Sequence, residues 1–126
     1  MSGILKTMLQ LWEINTMDWM GFDNLEKYSF HHLIKKSDGG KQVVNNGAIL
    51  HQDSSHPYLH IIEHYDLDKY VFINKILKDI NTQRSMPTKE QLQQIRYVLI
   101  EFQKEYENKE NSRGKPIIKK EFRLEV

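Results

Sequence analysis

The chain has 126 residues, 39% of them hydrophobic and 28% charged, with a formal net charge of +1 and no cysteine. That length fits a single domain around one core, and the composition argues against a disordered or fibrous chain. Without cysteine there is no disulfide framework, thiol nucleophile, iron–sulfur cluster or cysteine-built zinc knuckle, and the small net charge makes no general case for nucleic-acid binding.

Ile4 to Met20 carries Ile4, Leu5, Met8, Leu9, Leu11, Trp12 and Met20 at mixed three- and four-residue spacings, which predicts a helix with a wide apolar face. Lys6, Glu13 and Asp18 interrupt the stretch, so it is neither a signal peptide nor a membrane span, and the chain reads as soluble and cytoplasmic. Tyr28 to Ile34 predicts a strand, Asp38-Gly39-Gly40 a turn, and Ala48 to His51 the return strand. Ser54 and Ser55 are candidate caps of a following helix whose first turn tolerates Pro57.

Tyr70, Ile73, Ile76, Leu77 and Ile80 extend the helical pattern, either as a second helix or as a continuation, to about Asn81. Thr88 and Gln91 form a capping box ahead of Leu92, Ile95, Leu99, Phe102 and Tyr106. In the last ten residues Ile118, Phe122, Leu124 and Val126 alternate with charges, predicting an edge strand or a tail that orders on a partner. The domain thus divides into a helical flank (1–29), a central unit (30–65), a helical extension (66–108) and a C-terminal segment (109–126) with six basic and three acidic side chains.

All six histidines, at positions 31, 32, 51, 56, 60 and 64, fall within 34 residues. Successive strand residues point to opposite faces unless a bend redirects one, whereas His56 and His60 are one helical turn apart and share a face. A helix packed across the hairpin can therefore bring imidazoles from both elements to one cation. Imidazole suits zinc, nickel, cobalt or manganese better than magnesium, which prefers oxygen and remains open if only two histidines ligate. His51 and His64 read more simply as structural histidines.

Phe30-His31-His32-Leu33-Ile34, Ser37-Asp38-Gly39-Gly40, Asn45-Asn46-Gly47-Ala48-Ile49-Leu50-His51 and His56-Pro57-Tyr58-Leu59-His60 together resemble the ββα-metal core of the HNH endonucleases. The resemblance covers residues 30–60. It implies an α+β fold, a hairpin-plus-helix core flanked by additional α-helices. It makes His32 the general base, His31 and His56 metal ligands, and His60 a third ligand of the kind found in colicin-type members. Asn46, or alternatively Asn45, matches the asparagine that bridges the loop and orients the base. Three departures stand out: Lys35 and Lys36 replace a common proline, Gly47 stands where leucine is usual, and the interval from Asn46 to His56 is one residue longer.

The implied activity is hydrolysis of DNA phosphodiester bonds with one divalent ion (zinc, manganese, nickel or magnesium). Family members grip the backbone of double-stranded DNA through the minor groove with little base reading, and Lys35, Lys36 and Lys41 could position phosphates. A lone core nicks one strand, whereas a double-strand break calls for a homodimer. No membrane is implied. A structural zinc module and a catalytically silent nucleic-acid binder are the alternatives.

Overall fold

The computed structural model describes residues 3–14, 17–23 and 27–125, which form a mixed α+β fold with four helices and one two-stranded antiparallel sheet. In chain order these are α1 (Gly3–Leu11), β1 (Tyr28–His32), β2 (Gly47–His51), α2 (Ser55–Tyr65), α3 (Leu67–Gln83) and α4 (Lys89–Tyr106). A two-stranded sheet alone is marginal in water. Here Ala48, Ile49 and Leu50 of β2 are fully buried, as are Tyr58, Leu59 and Ile62 of α2 and Ile73, Leu77 and Ile80 of α3. No described helix is long and apolar enough to cross a membrane.

The first helix is shorter than its apolar spacing predicts. It stops at Leu11 because Glu13 takes a φ of 53°, with Glu13 N–H donating to Gln10 C=O at 3.2 Å and Ile14 N–H to Leu9 C=O at 3.0 Å. This pair of bonds closes the helix end in a Schellman motif. Trp12 turns inward, donating from Nε1 to the Ile80 carbonyl at 3.1 Å and packing on Trp19 at 5.0 Å. Residues 15 and 16 of the predicted helix lie outside the described residues. Trp19 and Met20 are buried from an irregular segment organised by Asp18. The Asp18 carboxylate accepts the N–H groups of Met20 (3.0 Å), Phe22 (2.9 Å) and His51 (3.0 Å) and the hydroxyl of Ser55.

The hairpin pairs Tyr28 with His51 through to His32 with Gly47. It ends two residues earlier than the predicted Tyr28–Ile34 strand, because Leu33 N–H goes to the Asn46 carbonyl at 2.9 Å and Ile34 pairs with the Asn46 side chain. Gly40 approaches so closely that a Cβ there would lie 1.8 Å from the Ile34 carbonyl oxygen. Before α2, Ser54 takes the predicted N-cap position, though without a side-chain capping bond, and Ser55 is the first helical residue, its hydroxyl spent on Asp18.

The α2 and α3 helices are separate. Asp66 divides them, its N–H donating to Ile62 C=O at 2.7 Å and its carboxylate accepting Lys69 N–H at 3.2 Å. At the start of α4 both bonds of the Thr88–Gln91 capping box are present. The C-terminal segment is not an edge strand, and it orders against this chain's own core rather than on a partner. Ile117, Ile118 and Phe122 are buried, Phe122 stacking on Tyr58 at 5.0 Å. Buried Gln103 takes the place of a strand neighbour, accepting Leu124 N–H at 2.7 Å and donating to Leu124 C=O at 2.9 Å. Val126 lies outside the described residues.

Candidate metal centre

The third hairpin residue from the β1 start carries Phe30 and the next two carry His31 and His32, whose side chains leave the strand on opposite sides. His31 points under α2 and α3 and is 1% exposed, whereas His32 stays half-buried with Phe30 edge-on to its ring at 4.9 Å. From α2, Tyr58, Leu59 and Ile62 enter the core, which turns His56 and His60 toward β1. The ring centroids of His31, His56 and His60 lie 5.0–5.6 Å apart, and one nitrogen from each ring lies within 4.8 Å of the other two.

Each ring is held through one of its nitrogens. His31 Nε2 is 2.8 Å from Asn74 Oδ1, His56 Nδ1 is 2.7 Å from Ser29 Oγ, and His60 Nδ1 is 3.1 Å from Glu63 Oε1. With those nitrogens protonated, Ser29 passes its own hydrogen to the Leu50 carbonyl at 3.3 Å, and Glu63 accepts from His60 while forming an ion pair with the Lys35 ammonium. His31 Nδ1, His56 Nε2 and His60 Nε2 are then left with free lone pairs. Such hydrogen-bonded partners are what fix the tautomer of metal-ligating histidines.

The donor set fits a divalent cation. His31 Nδ1 is buried with no hydrogen-bond partner among the described residues, an omission that costs about 1–3 kcal/mol and that a cation would recover. Burial lowers His31 to about 3, with charge on His56 and His60 adding to the effect. His56 falls to about 4, again mainly through burial and then through His60 and His32. Both are neutral at pH 7, the state that ligation requires.

A cleft of about 420 Å³ opens over the cluster, lined by the three histidines together with His32, Lys35 and Lys36. Lys41 is exposed and does not line it. Asn46 is buried and spans the loop: Oδ1 accepts Ile34 N–H at 2.8 Å, and Nδ2 donates to the carbonyls of Ile34 and Lys41, both at 3.0 Å. Those bonds go to loop backbone rather than to the His32 ring. Asn45 is exposed and accepts from Arg84. His51 is buried elsewhere, its Nε2 2.9 Å from the Phe22 carbonyl, and exposed His64 packs edge-on against Tyr65.

Sequence reasoning did not identify Asn74, Ser29 or Glu63. Glu63 was within reach, since it lies three residues beyond His60 on one helix face. Ser29 shares a strand face with His31. Asn74 carried no local signal, being 43 residues from the histidine it holds. No family model, curated protein or solved structure matches the chain at a significant level.

Proposed function

We propose that this chain is a metal-dependent endonuclease of the HNH type that hydrolyses DNA phosphodiester bonds, with β1, β2 and α2 as its ββα-metal core. The observation that carries the reading is the convergence of three ring nitrogens, one from His31 on the strand and two from His56 and His60 on the helix, within 4.8 Å. His32 lines the same cleft beside them. In this reading His31, His56 and His60 hold one divalent cation, zinc, manganese or nickel in preference to magnesium. Bound there, the ion supplies Lewis-acid stabilisation of the phosphoryl and leaving oxygens.

The remaining work falls to the chain. His32 accepts the proton of the attacking water as the new oxygen–phosphorus bond forms and the bond to the leaving oxygen breaks, the general-base role to which an imidazole is suited. Phe30, edge-on at 4.9 Å, limits the rotation of that ring. Asn46 holds both ends of the 34–41 loop and so fixes the backbone just after His32. Lys36, exposed at the cleft, can meet a substrate phosphate, and Lys35 can do so once it leaves Glu63. These are backbone contacts, which position DNA without reading its sequence.

The test is conversion of supercoiled plasmid to nicked circle with divalent metals supplied singly, beside His32→Ala and His56→Ala. His32→Ala should keep metal affinity and lose cleavage, and His56→Ala should lose both. Chelation should stop cleavage while the helical circular dichroism persists. Unfolding on chelation would instead mark a structural zinc site, and a folded, metal-loaded chain that cuts with no metal would mark a silent binder.

A further inference from the structure

We infer that Asn74, on α3, is a positioning residue for the metal centre: its carboxamide commits His31 to ligation through Nδ1, so that the centre is complete only while α3 is docked on the hairpin. This rests on the metal reading given above but not on cleavage.

The two ends of the Asn74 amide are not interchangeable. Nδ2 donates to the Leu33 carbonyl at 3.0 Å, an acceptor that only a donor can face. The oxygen is therefore the end that lies 2.8 Å from His31 Nε2, and it can only accept. Nε2 must carry the ring proton, and Nδ1, buried without a partner among the described residues, keeps its lone pair. One side chain thus fixes both the backbone beyond β1 and the donor atom of a ligand within it. A neutral carboxamide does this without lending the cation negative charge, so the ion's pull on phosphoryl oxygens is undiminished, unlike a carboxylate in the same place.

A built-in control lies two turns further along α3. Buried Asn81 also fastens the hairpin, donating from Nδ2 to the carbonyls of Val44 and Gly47 at 2.7 and 2.8 Å, and neither bond goes to a histidine. A purely structural role for Asn74 would make the two asparagines equivalent.

The experiment measures zinc affinity by chelator competition on the folded full chain for the parent, Asn74→Ala, Asn74→Asp and Asn81→Ala, with the His31 ring nitrogens followed by long-range ¹H–¹⁵N NMR in the metal-free state. Asn74→Ala should weaken zinc about 10- to 100-fold, Asn74→Asp should bind at least as tightly as the parent, and Asn81→Ala should lose stability with zinc affinity unchanged. Equal losses for the two alanine variants, or none for Asn74→Ala, would overturn the inference. Should Asn74→Ala not fold, the parent spectrum decides: a proton on His31 Nδ1 overturns it, and a proton on Nε2 with zinc bound tightly by Asn74→Asp supports it. A parent that binds zinc in this Asn74-dependent way but cuts no DNA removes the nuclease reading alone, whereas one that binds no divalent metal removes both.

Discussion

The Asn46 side chain pairs with both backbone polar groups of Ile34, accepting its N–H at 2.8 Å and donating to its C=O at 3.0 Å, as a neighbouring strand would. With the further bond to Lys41 it closes the loop that follows His32. Asn46→Ala should cost about 2–4 kcal/mol, three hydrogen bonds at a buried position, measured as a lower urea midpoint at unchanged slope. Asn45→Ala, at an exposed position, should stay within about 0.5 kcal/mol. Equal effects would mean that the choice of Asn46 as the loop-bridging asparagine is wrong.

Acid should unfold the metal-free chain early. His31 and His56 are held at about 3 and about 4, chiefly by burial, against 6.5 when unfolded. Between these values the unfolded state binds more protons, so stability is complete above pH 6.5 and falls as the pH drops through the window toward 4 and then 3. The limiting slope is about 1.4 kcal/mol per pH unit for His31, and less for His56, which solvent partly reaches. Saturating zinc, which competes with those protons, should move the acid midpoint to lower pH. Urea titrations from pH 7 to 4 check this: His31→Gln should flatten the profile, and a flat profile in the parent would contradict the burial of neutral rings.

The sequence made the hairpin, its following helix and the His31, His56 and His60 grouping legible, because each depends on local spacing: two strands around Asp38-Gly39-Gly40, and two histidines one turn apart. The Thr88–Gln91 box was equally local. What could not be read depends on distant partners. Nothing in Ile4 to Met20 announces that Glu13 will adopt a left-handed conformation, or that Asp18 will gather donors from as far as Ser55. The alternation at the C-terminus has a strand's period, but its backbone partner is the Gln103 side chain, 21 residues earlier, so a rule based on period alone fails there. Asn74 reads simply as a polar helix residue until α3 is laid against β1.

Gly47 sits where Phe30 leaves no room for a side chain. A Cβ at Gly47 would meet the Phe30 ring at 2.3 Å and the Met8 methyl at 3.0 Å. Gly47→Ala should therefore displace Phe30 rather than break the strand, costing about 1–3 kcal/mol as overpacking does. Because Phe30 also limits the His32 ring, cleavage should fall while zinc affinity, carried by His31, His56 and His60, holds. A parallel loss of both would show that the strain reaches the ligands.

Glu63 stands between two demands, accepting from His60 Nδ1 and pairing with the Lys35 ammonium. Burial alone would raise its carboxyl, but the Lys35 and His60 hydrogen bonds outweigh this and hold it below the ordinary range. A lysine so engaged is not fully available to phosphate, whereas Lys36, exposed at the same cleft, is. In a salt series of DNA binding, Lys36→Ala should reduce the slope of log K against log salt by about 0.9, the release expected for one phosphate contact. Lys35→Ala should reduce it by less, and Lys41→Ala, outside the cleft, least of all. Glu63→Gln should split the two functions: Lys35 is released and DNA binding tightens, while His60 loses its charged partner and zinc weakens. If Glu63→Gln leaves the salt slope unchanged and Lys35→Ala matches Lys36→Ala, the ion pair does not restrain Lys35, and the two lysines serve the cleft alike.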